Sequence, residues 1–233
     1  MKKAVIQCRG IKKTYGTGET QVEALKTTDL DIFPQELTLL VGPSGSGKTT
    51  LISILSTILM ADEGELILLD KKINGLTEDE KAEFRLMHLG MVFQSLFLIP
   101  TLTVLENVSL PLMVAGCSAE EANEKAFGLL KEMHLDHRCA ASPALLSKGQ
   151  QQRVAIARAM INQSSIIVCD EPTSALDHVT GFEIMEFLHA LAADPLKAVL
   201  VVTHDPRIFP YADRMITMSD GQIISSETLS EHL

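Results

Sequence analysis

The sequence contains no apolar run that approaches the roughly 18 residues needed to cross a bilayer. Even the stretch from Leu51 to Ala61 is interrupted by Ser53, Ser56 and Thr57. The first residues also lack the apolar centre of a secretory signal. We therefore expect a protein that stays in the cytosol, where any role at a membrane is peripheral.

Positive charge is also scarce. The chain of 233 residues has 20 Lys and Arg against 30 Asp and Glu, which gives a formal net charge of −10. Proteins whose main partner is nucleic acid need clustered Lys and Arg to neutralise phosphates. The charge balance therefore argues against nucleic acid as the partner.

The cysteine pattern excludes a cysteine-based metal site. Cys8, Cys117, Cys139 and Cys169 show no CxxC or other metal-ligand spacing. We interpret them as reduced, structural thiols. The sequence also has no internal repeat or low-complexity stretch, so its length fits one large domain or two lobes.

Short apolar runs alternate with helical patterns. Residues 37–41, 166–169 and 199–203 have the length and composition of buried strands, which favours a central parallel sheet. Residues 48–59 and 151–161 carry apolar side chains at the three-to-four spacing of helices. The pattern predicts an α/β fold.

Two further regions differ from this core. The segments 5–9, 30–33 and 66–69 are typical of shorter strands and predict an N-terminal antiparallel β layer. Residues 95–147 predict an inserted α-helical lobe, in which Ser118 and Glu121 have capping-box spacing. We expect a single domain, with 1–94 and 148–233 forming the core and β layer.

A phosphate-binding loop follows the first predicted core strand. Residues Gly42 to Thr49 match G-x-x-x-x-G-K-[ST] in full and precede a predicted helix, which is the context that the motif requires. Backbone N–H groups, the helix N-terminus and Lys48 would surround phosphates, and the Thr49 hydroxyl can ligate Mg²⁺.

Polar residues also follow the other predicted core strands. Asp170 and Glu171 end one strand, and His204 ends another. Such strand ends meet at one edge of a parallel sheet. Asp170 is the candidate for the magnesium shell and Glu171 for the base that polarises the attacking water. Gln94, after residues 90–93, is a weak signal by itself.

The order of these motifs closely resembles the nucleotide-binding subunits of ATP-binding cassette (ABC) transporters, from about Gln7 to Ser225. Beside the Walker A loop, Ser147–Gln150 resembles the signature motif and Ser174–Asp177 the D-loop. Asp170 and Glu171 resemble the Walker B end, and His204 the switch histidine. Tyr15 resembles the adenine-stacking aromatic, and Gln94 the Q-loop.

The resemblance implies ATP and Mg²⁺ as ligands and assigns roles to individual residues. Glu171, His204 and Gln94 would be catalytic, and Thr49, Gln94 and Asp170 would hold the metal. The nucleotide would contact Tyr15, Gly42, Ser44, Gly45, Ser46, Gly47, Lys48, Thr49, Thr50, Ser147, Gly149, Gln150 and Asp177.

The resemblance further implies a homodimer in which two copies meet head to tail, each ATP lying between one phosphate loop and the other signature. Ser147 and Gln150 have S-x-x-Q capping spacing, so we expect a helix from Gln151 whose free N–H groups suit an anion. The opposing γ-phosphate is the obvious anion for it.

Residues 89–111 resemble the lipoprotein-release and macrolide-efflux branch of the family, as do residues 18–26. Members of that branch act under integral membrane permeases with large extracytoplasmic domains. This implies a peripheral position on the cytoplasmic face of the inner membrane and a periplasmic adaptor as a further partner. The apolar run 96–100 is either a permease contact or part of the buried lobe.

Three places depart from the family pattern. One, the lack of the glycine often found after the phosphate-loop helix in residues 58–60, is given no functional meaning. Lys148 stands where glycine is usual in the signature, and Gln35 where glycine commonly precedes Glu36. We hypothesise that Lys148 is tolerated, because a cation near a triphosphate is electrostatically favourable.

Three alternatives remain open. The chain could be a cell-division type of ABC ATPase, a soluble ABC ATPase acting on DNA or ribosomes, or a regulatory module that binds ATP without hydrolysis. The second lacks support, because the chain has no long coiled coil or second cassette. Glu171 and His204 argue against the third.

Overall fold

The computed structural model describes residues 2–229, which form two sheets and six α-helices. The strands are β1 (Ile6–Tyr15), β2 (Val22–Ile32), β3 (Glu36–Val41), β4 (Glu63–Leu68), β5 (Lys71–Lys72), β6 (Leu89–Val92), β7 (Ile166–Asp170), β8 (Ala198–Thr203), β9 (Arg214–Ser219) and β10 (Gln222–Thr228). The helices are α1 (Lys48–Leu55), α2 (Glu78–His88), α3 (Val104–Val114), α4 (Ala119–Glu132), α5 (Lys148–Met160) and α6 (His178–Ala192).

The larger sheet has six strands in the order β10-β9-β3-β8-β7-β6. Its neighbouring pairs are parallel except β10 with β9. The smaller sheet has the order β2-β1-β4-β5, and all its pairs are antiparallel. The predicted α/β core with an N-terminal antiparallel layer is confirmed.

Side chains of the central strands alternate between two cores, as the period of a strand requires. Leu37, Leu39 and Val41 of β3 belong to a cluster shared with α5, α6 and the helical lobe. Leu40 points into a second cluster, which contains α1 and the antiparallel sheet. Because both faces are covered, the central strands are mostly apolar, which is why they could be recognised in the sequence.

Several predicted helix bounds were wrong. The helix predicted over 48–59 ends at Leu55, because Thr57 adopts a left-handed conformation with φ of 58°. The helix expected from Gln151 begins instead at Lys148, directly after the N-cap Ser147.

Capping at the other helices also differs from expectation. Ser118 accepts the Glu121 N–H, but the Glu121 carboxylate pairs with Lys125 at 2.7 Å, so only half of the predicted capping box forms. Two capping boxes went unnoticed in the sequence: those of Thr77 with Glu80 at α2 and Thr103 with Glu106 at α3.

Gln35 shows what its departure from glycine means. The residue keeps a left-handed backbone, with φ of 58°, and its N–H donates to the Lys197 carbonyl oxygen at 2.7 Å. The turn before β3 is thus the one that glycine favours, made here by a residue with a side chain.

A buried asparagine joins the segment after Gln94 to α3. Asn107 is fully buried; its Oδ1 accepts the Ile99 N–H at 2.8 Å, and its Nδ2 donates to the carbonyl oxygens of Ile99 and Thr103 at 3.0 and 2.9 Å. A single buried side chain therefore bonds backbone groups of two segments.

We expect Asn107→Ala to lower the free energy of unfolding by about 2–4 kcal/mol, because it leaves the bonded backbone groups without that partner and opens a small cavity where the buried side chain was. Urea unfolding measures this change. Asn74→Ala is the matched control, since Asn74 bridges Leu66 and Gly64 in the same way but is only half-buried. An equal cost for the two variants would contradict the role assigned to burial.

Candidate active site

The phosphate loop joins β3 to α1 and depends on glycine where the chain is crowded. A Cβ at Gly42, whose φ is +152°, would lie 2.1 Å from the Met218 carbonyl oxygen. A Cβ at Gly47, whose φ is +97°, would lie 2.4 Å from the Ala24 carbonyl oxygen. Neither position can carry a side chain, so the loop is packed tightly between the two sheets.

Lys48 lies inside this loop and is almost completely buried. Its Nζ donates to the carbonyl oxygens of Gly42 and Pro43, each at 2.8 Å. Burial lowers the Lys48 pKa, and the nearby Glu171 and Asp170 carboxylates oppose that shift. The loop thus holds a cation at the position where it would meet phosphate oxygens.

Asp170 is the last residue of β7. Burial raises its pKa above the usual range, and the adjacent Glu171 raises it further, while Lys48 acts in the opposite direction. Two neighbouring carboxylates with one cation form an arrangement that a further positive charge would stabilise.

Glu171 turns away from the line of β7. Its φ of 49° is left-handed, and its N–H donates to the Val202 carbonyl oxygen of β8 at 2.9 Å. Its Oε1 lies 2.6 Å from the His204 Nδ1. The two side chains are thus within hydrogen-bond distance, with one carboxylate oxygen facing one ring nitrogen.

The contact between Glu171 and His204 joins the ends of two neighbouring strands. The Glu171 side chain is 13% exposed and that of His204 is 69% exposed. The carboxylate is therefore held in place while the outer face of the imidazole stays open to solvent.

Gln94 follows β6 and is exposed. The turn after it is held by Arg158, which was not predicted from the sequence. The Arg158 guanidinium, on α5, donates to the carbonyl oxygens of Leu96 and Phe97 at 2.5 and 2.7 Å. Both residues have left-handed backbones, with φ of 56° and 45°. The only sequence signal for this contact is an arginine on an otherwise apolar helix face.

An open cleft of about 610 Å³ collects most of the predicted site residues. The predicted residues that line it are Ser44, Gly45, Gly47, Lys48, Thr49, Thr50, Gln94, Asp170, Glu171 and His204. Ala24, Pro43 and Val202 also line it and were not predicted. The residues come from five different segments: four follow or end strands of the six-stranded sheet, whose parallel order brings them together, and Ala24 comes from β2 of the antiparallel sheet.

The donor set fits Mg²⁺. A hydroxyl of Thr49, an amide oxygen of Gln94 and a carboxylate of Asp170 are the hard oxygen ligands that this ion prefers, and Mg²⁺ keeps further places for phosphate oxygens and water. These residues could therefore hold Mg²⁺ together with a polyphosphate.

Other predicted residues lie outside the cleft lining. Gly42 and Ser46 form the base of the loop, and Ser46 is buried. Tyr15 ends β1, pairs with Val22 and is 44% exposed. The signature residues Ser147, Gly149 and Gln150, together with Asp177, do not line the cleft of this chain.

The predicted capping box at the signature is confirmed. The Ser147 Oγ accepts the Gln150 N–H at 3.2 Å, and the Gln150 Oε1 accepts the Ser147 N–H at 3.0 Å. Lys148 occupies the first helical position with ordinary backbone dihedrals, and its exposed Nζ lies 3.5 Å from the Gln151 Oε1. Position 148 therefore does not require the conformational freedom of glycine.

Asp177 caps α6. Its carboxylate accepts the Thr180 N–H at 3.1 Å and the Thr180 hydroxyl at 2.7 Å. These two bonds lower the Asp177 pKa. Asp177 was predicted from the sequence but Thr180 was not, although the D-x-x-T spacing is that of a capping residue and its partner.

Comparison with known proteins places the chain in a family. The family model described as ABC transporter matches residues 25–174. An uncharacterized ABC transporter ATP-binding protein, MJ0796 of Methanocaldococcus jannaschii, is 43% identical over 97% of each chain. The chain belongs to the ABC transporter ATP-binding family and is an ATPase of that class.

Other relatives are longer. The macrolide export ATP-binding/permease protein MacB of Pasteurella multocida is 40% identical over the whole chain, which spans 36% of that relative's length. A solved dimeric structure of the MJ0796 cassette bound to ADP and Pi, in a post-hydrolysis state, has a TM-score of 0.90 at 41% identity and covers 97% of this chain and 99% of that one.

We expect Lys148→Gly to change ATP turnover by less than about threefold, because the backbone at this position is already helical and the side chain is exposed. Steady-state phosphate release measures the change. Lys148→Ala is the control, since it removes the charge without adding backbone freedom. A many-fold rise with glycine alone would show that Lys148 slows the enzyme.

Proposed function

We propose that this chain binds Mg²⁺-ATP in the cleft between β3, β7 and β8, hydrolyses it as a head-to-tail homodimer, and drives a membrane permease. The observation that carries the proposal is the convergence of Lys48, Asp170, Glu171 and His204 at one sheet edge, with the Glu171 carboxylate 2.6 Å from the imidazole.

The predicted residues of the cleft, together with Tyr15 outside its lining, each have a role in this proposal. The loop N–H groups and Lys48 bind the phosphates, and Tyr15 stacks on the adenine from the end of β1. Thr49, Gln94 and Asp170 hold Mg²⁺, which supplies positive charge to the phosphate oxygens when bound. Thr50 adds a hydroxyl in the first turn of α1.

Glu171 polarises the attacking water in this proposal. Its carboxylate is mostly shielded and is fixed by His204 on one oxygen, which leaves the other oxygen to accept a proton or to orient water. His204 keeps Glu171 in place, and its Nε2 would be available to the γ-phosphate of a bound ATP, since the side chain is 69% exposed. Both side chains are positioned by neighbouring parallel strands.

We expect Glu171→Gln to lower ATP turnover by at least about 100-fold, because it removes the general base, and to accumulate an ATP-bound dimer. Phosphate release and size-exclusion chromatography with ATP measure the two effects. Glu186→Gln, an exposed change of the same charge on α6, is the matched control. Unchanged turnover in Glu171→Gln would remove Glu171 as the base.

The homodimer completes the site. Ser147, Gly149, Gln150 and Asp177 do not line this chain's own cleft, and the first turn of α5 presents free N–H groups that suit an anion. We propose that these residues contact the ATP held by the other copy. The dimeric structure of the MJ0796 cassette supports this arrangement.

The permease contact is proposed beside Gln94, with the lobe of residues 95–147 as the part that faces it. Phe97 is 62% exposed, whereas Leu96 and Leu98 pack against the core. Arg158, which bonds the Phe97 carbonyl oxygen, also lines a groove of about 160 Å³. The other residues that line this groove are Leu86, Leu89, Met91, Pro111, Ala159, Asn162 and Ser164. No helix among residues 2–229 is long and apolar enough to span a bilayer.

The branch of the family supports the nature of this partner. MacB is named as an export protein that joins an ATP-binding part to a permease. We propose an integral membrane permease with a large extracytoplasmic domain, a periplasmic adaptor, and a peripheral position for the ATPase on the cytoplasmic face of the inner membrane.

We expect a photoreactive benzoylphenylalanine at position 97 to crosslink to an integral membrane protein in native membranes, because the ring is exposed beside the groove. Mass spectrometry identifies the product. The same residue at position 224 is the matched control, since Ile224 is 63% exposed on β10. Equal crosslinking from both positions, or none from 97, would contradict the proposed contact.

A further inference from the structure

The first turns of α5 and α6 meet where Thr180 of α6 lies against Gly149 of α5. A Cβ built on Gly149 would lie 2.4 Å from the Thr180 Cγ2. This distance is far below van der Waals contact, so the threonine methyl fills the space that a side chain at position 149 would need. Gly149 does not have a positive φ, so the backbone itself does not call for glycine.

The two helices are parallel where they touch. One turn further along, the Arg153 guanidinium donates to the Glu183 carboxylate at 2.5 Å. From the first contact, Gly149 with Thr180, to the second, Arg153 with Glu183, the residue numbers increase in both helices. The two helices therefore run in the same direction. The N-caps Ser147 and Asp177 therefore lie at the same end of the helix pair.

The Thr180 side chain cannot turn away from Gly149 without a loss elsewhere. Its hydroxyl donates to the Asp177 Oδ2 at 2.7 Å, which fixes the χ1 rotamer and points the methyl at Gly149. Rotation that moved the methyl would break the bond to Asp177. The χ1 angle of Thr180 therefore sets two contacts together: the methyl with Gly149 of the signature motif and the hydroxyl with Asp177 of the D-loop.

We propose that Thr180 is a positioning residue that couples the signature motif to the D-loop, its methyl seating the first turn of α5 and its hydroxyl holding Asp177. Position 149 then requires glycine because the Thr180 methyl of the same chain leaves no room for a side chain, and not because the nucleotide of the other copy does. The coupling to turnover rests on the proposed function, whereas the contact itself does not.

The steric half of the proposal is tested with Gly149→Ala and the double variant Gly149→Ala/Thr180→Ser. Alanine alone should lower ATP turnover by about tenfold, and serine at 180 should restore most of it by removing Cγ2 while keeping the hydroxyl. Gly128→Ala is the matched control, because Gly128 lies in α4 with nothing within 4 Å of its Cβ position, and its turnover should not change.

Thr180→Val tests the other half. Valine keeps the shape of threonine but removes the hydroxyl, so Asp177 retains only the backbone N–H bond. We expect turnover to fall about threefold to tenfold and ATP binding by the monomer to stay unchanged. In the Gly149→Ala background, valine should give no rescue, because it retains the methyl.

Thermal unfolding of the monomer separates this proposal from the proposed function. Alanine at 149 should lower the Tm, and serine at 180 should recover it, whether or not the chain hydrolyses ATP. Loss of turnover in Gly149→Ala without rescue by serine would show that glycine is needed for the other copy's nucleotide and would overturn the proposal. An unchanged Tm and turnover in Gly149→Ala would overturn it as well.

Discussion

The backbone hydrogen bonds that pair β3 with β8 and β8 with β7 in parallel place three chain segments at one edge of the sheet. The phosphate loop, the Asp170–Glu171 pair and His204 each follow one of these strands. Side chains more than 30 residues apart, such as Glu171 and His204, meet only because their strands end together. If this pairing changed, the cleft would lose its cation, its carboxylates and its histidine at once.

Two separate cores keep that edge in place. One face of the sheet packs on α1 and the antiparallel sheet, and the other on α5, α6 and the helical lobe. The lobe therefore shares a core with the helix that carries the signature motif. Arg158 adds a polar link from that helix to the turn after Gln94. A displacement of the lobe would thus reach the signature helix and the Gln94 turn together.

Charge and backbone strain are concentrated where the chemistry is proposed. Lys48 is the cation next to Asp170 and Glu171, and Glu171 itself holds a left-handed backbone that costs free energy. The same region places Gly42 and Gly47 against backbone oxygens, where no side chain fits. The rest of the fold stabilises this strained and charged site. The charged groups are therefore already positioned before a ligand binds.

The sequence by itself determined the α/β class, the phosphate loop and the capping box of Ser147 and Gln150, because buried parallel strands are apolar throughout and because loop and cap depend on residues close in the chain. It left out α2 and α6, and it placed the end of α1 and the start of α5 wrongly, since those bounds depend on single left-handed residues and caps. Only the tertiary structure decided that Arg158 holds the Gln94 turn and that Thr180 lies against Gly149. Contacts between distant helices leave no periodic trace, because they depend on how the helices pack and not on local propensity.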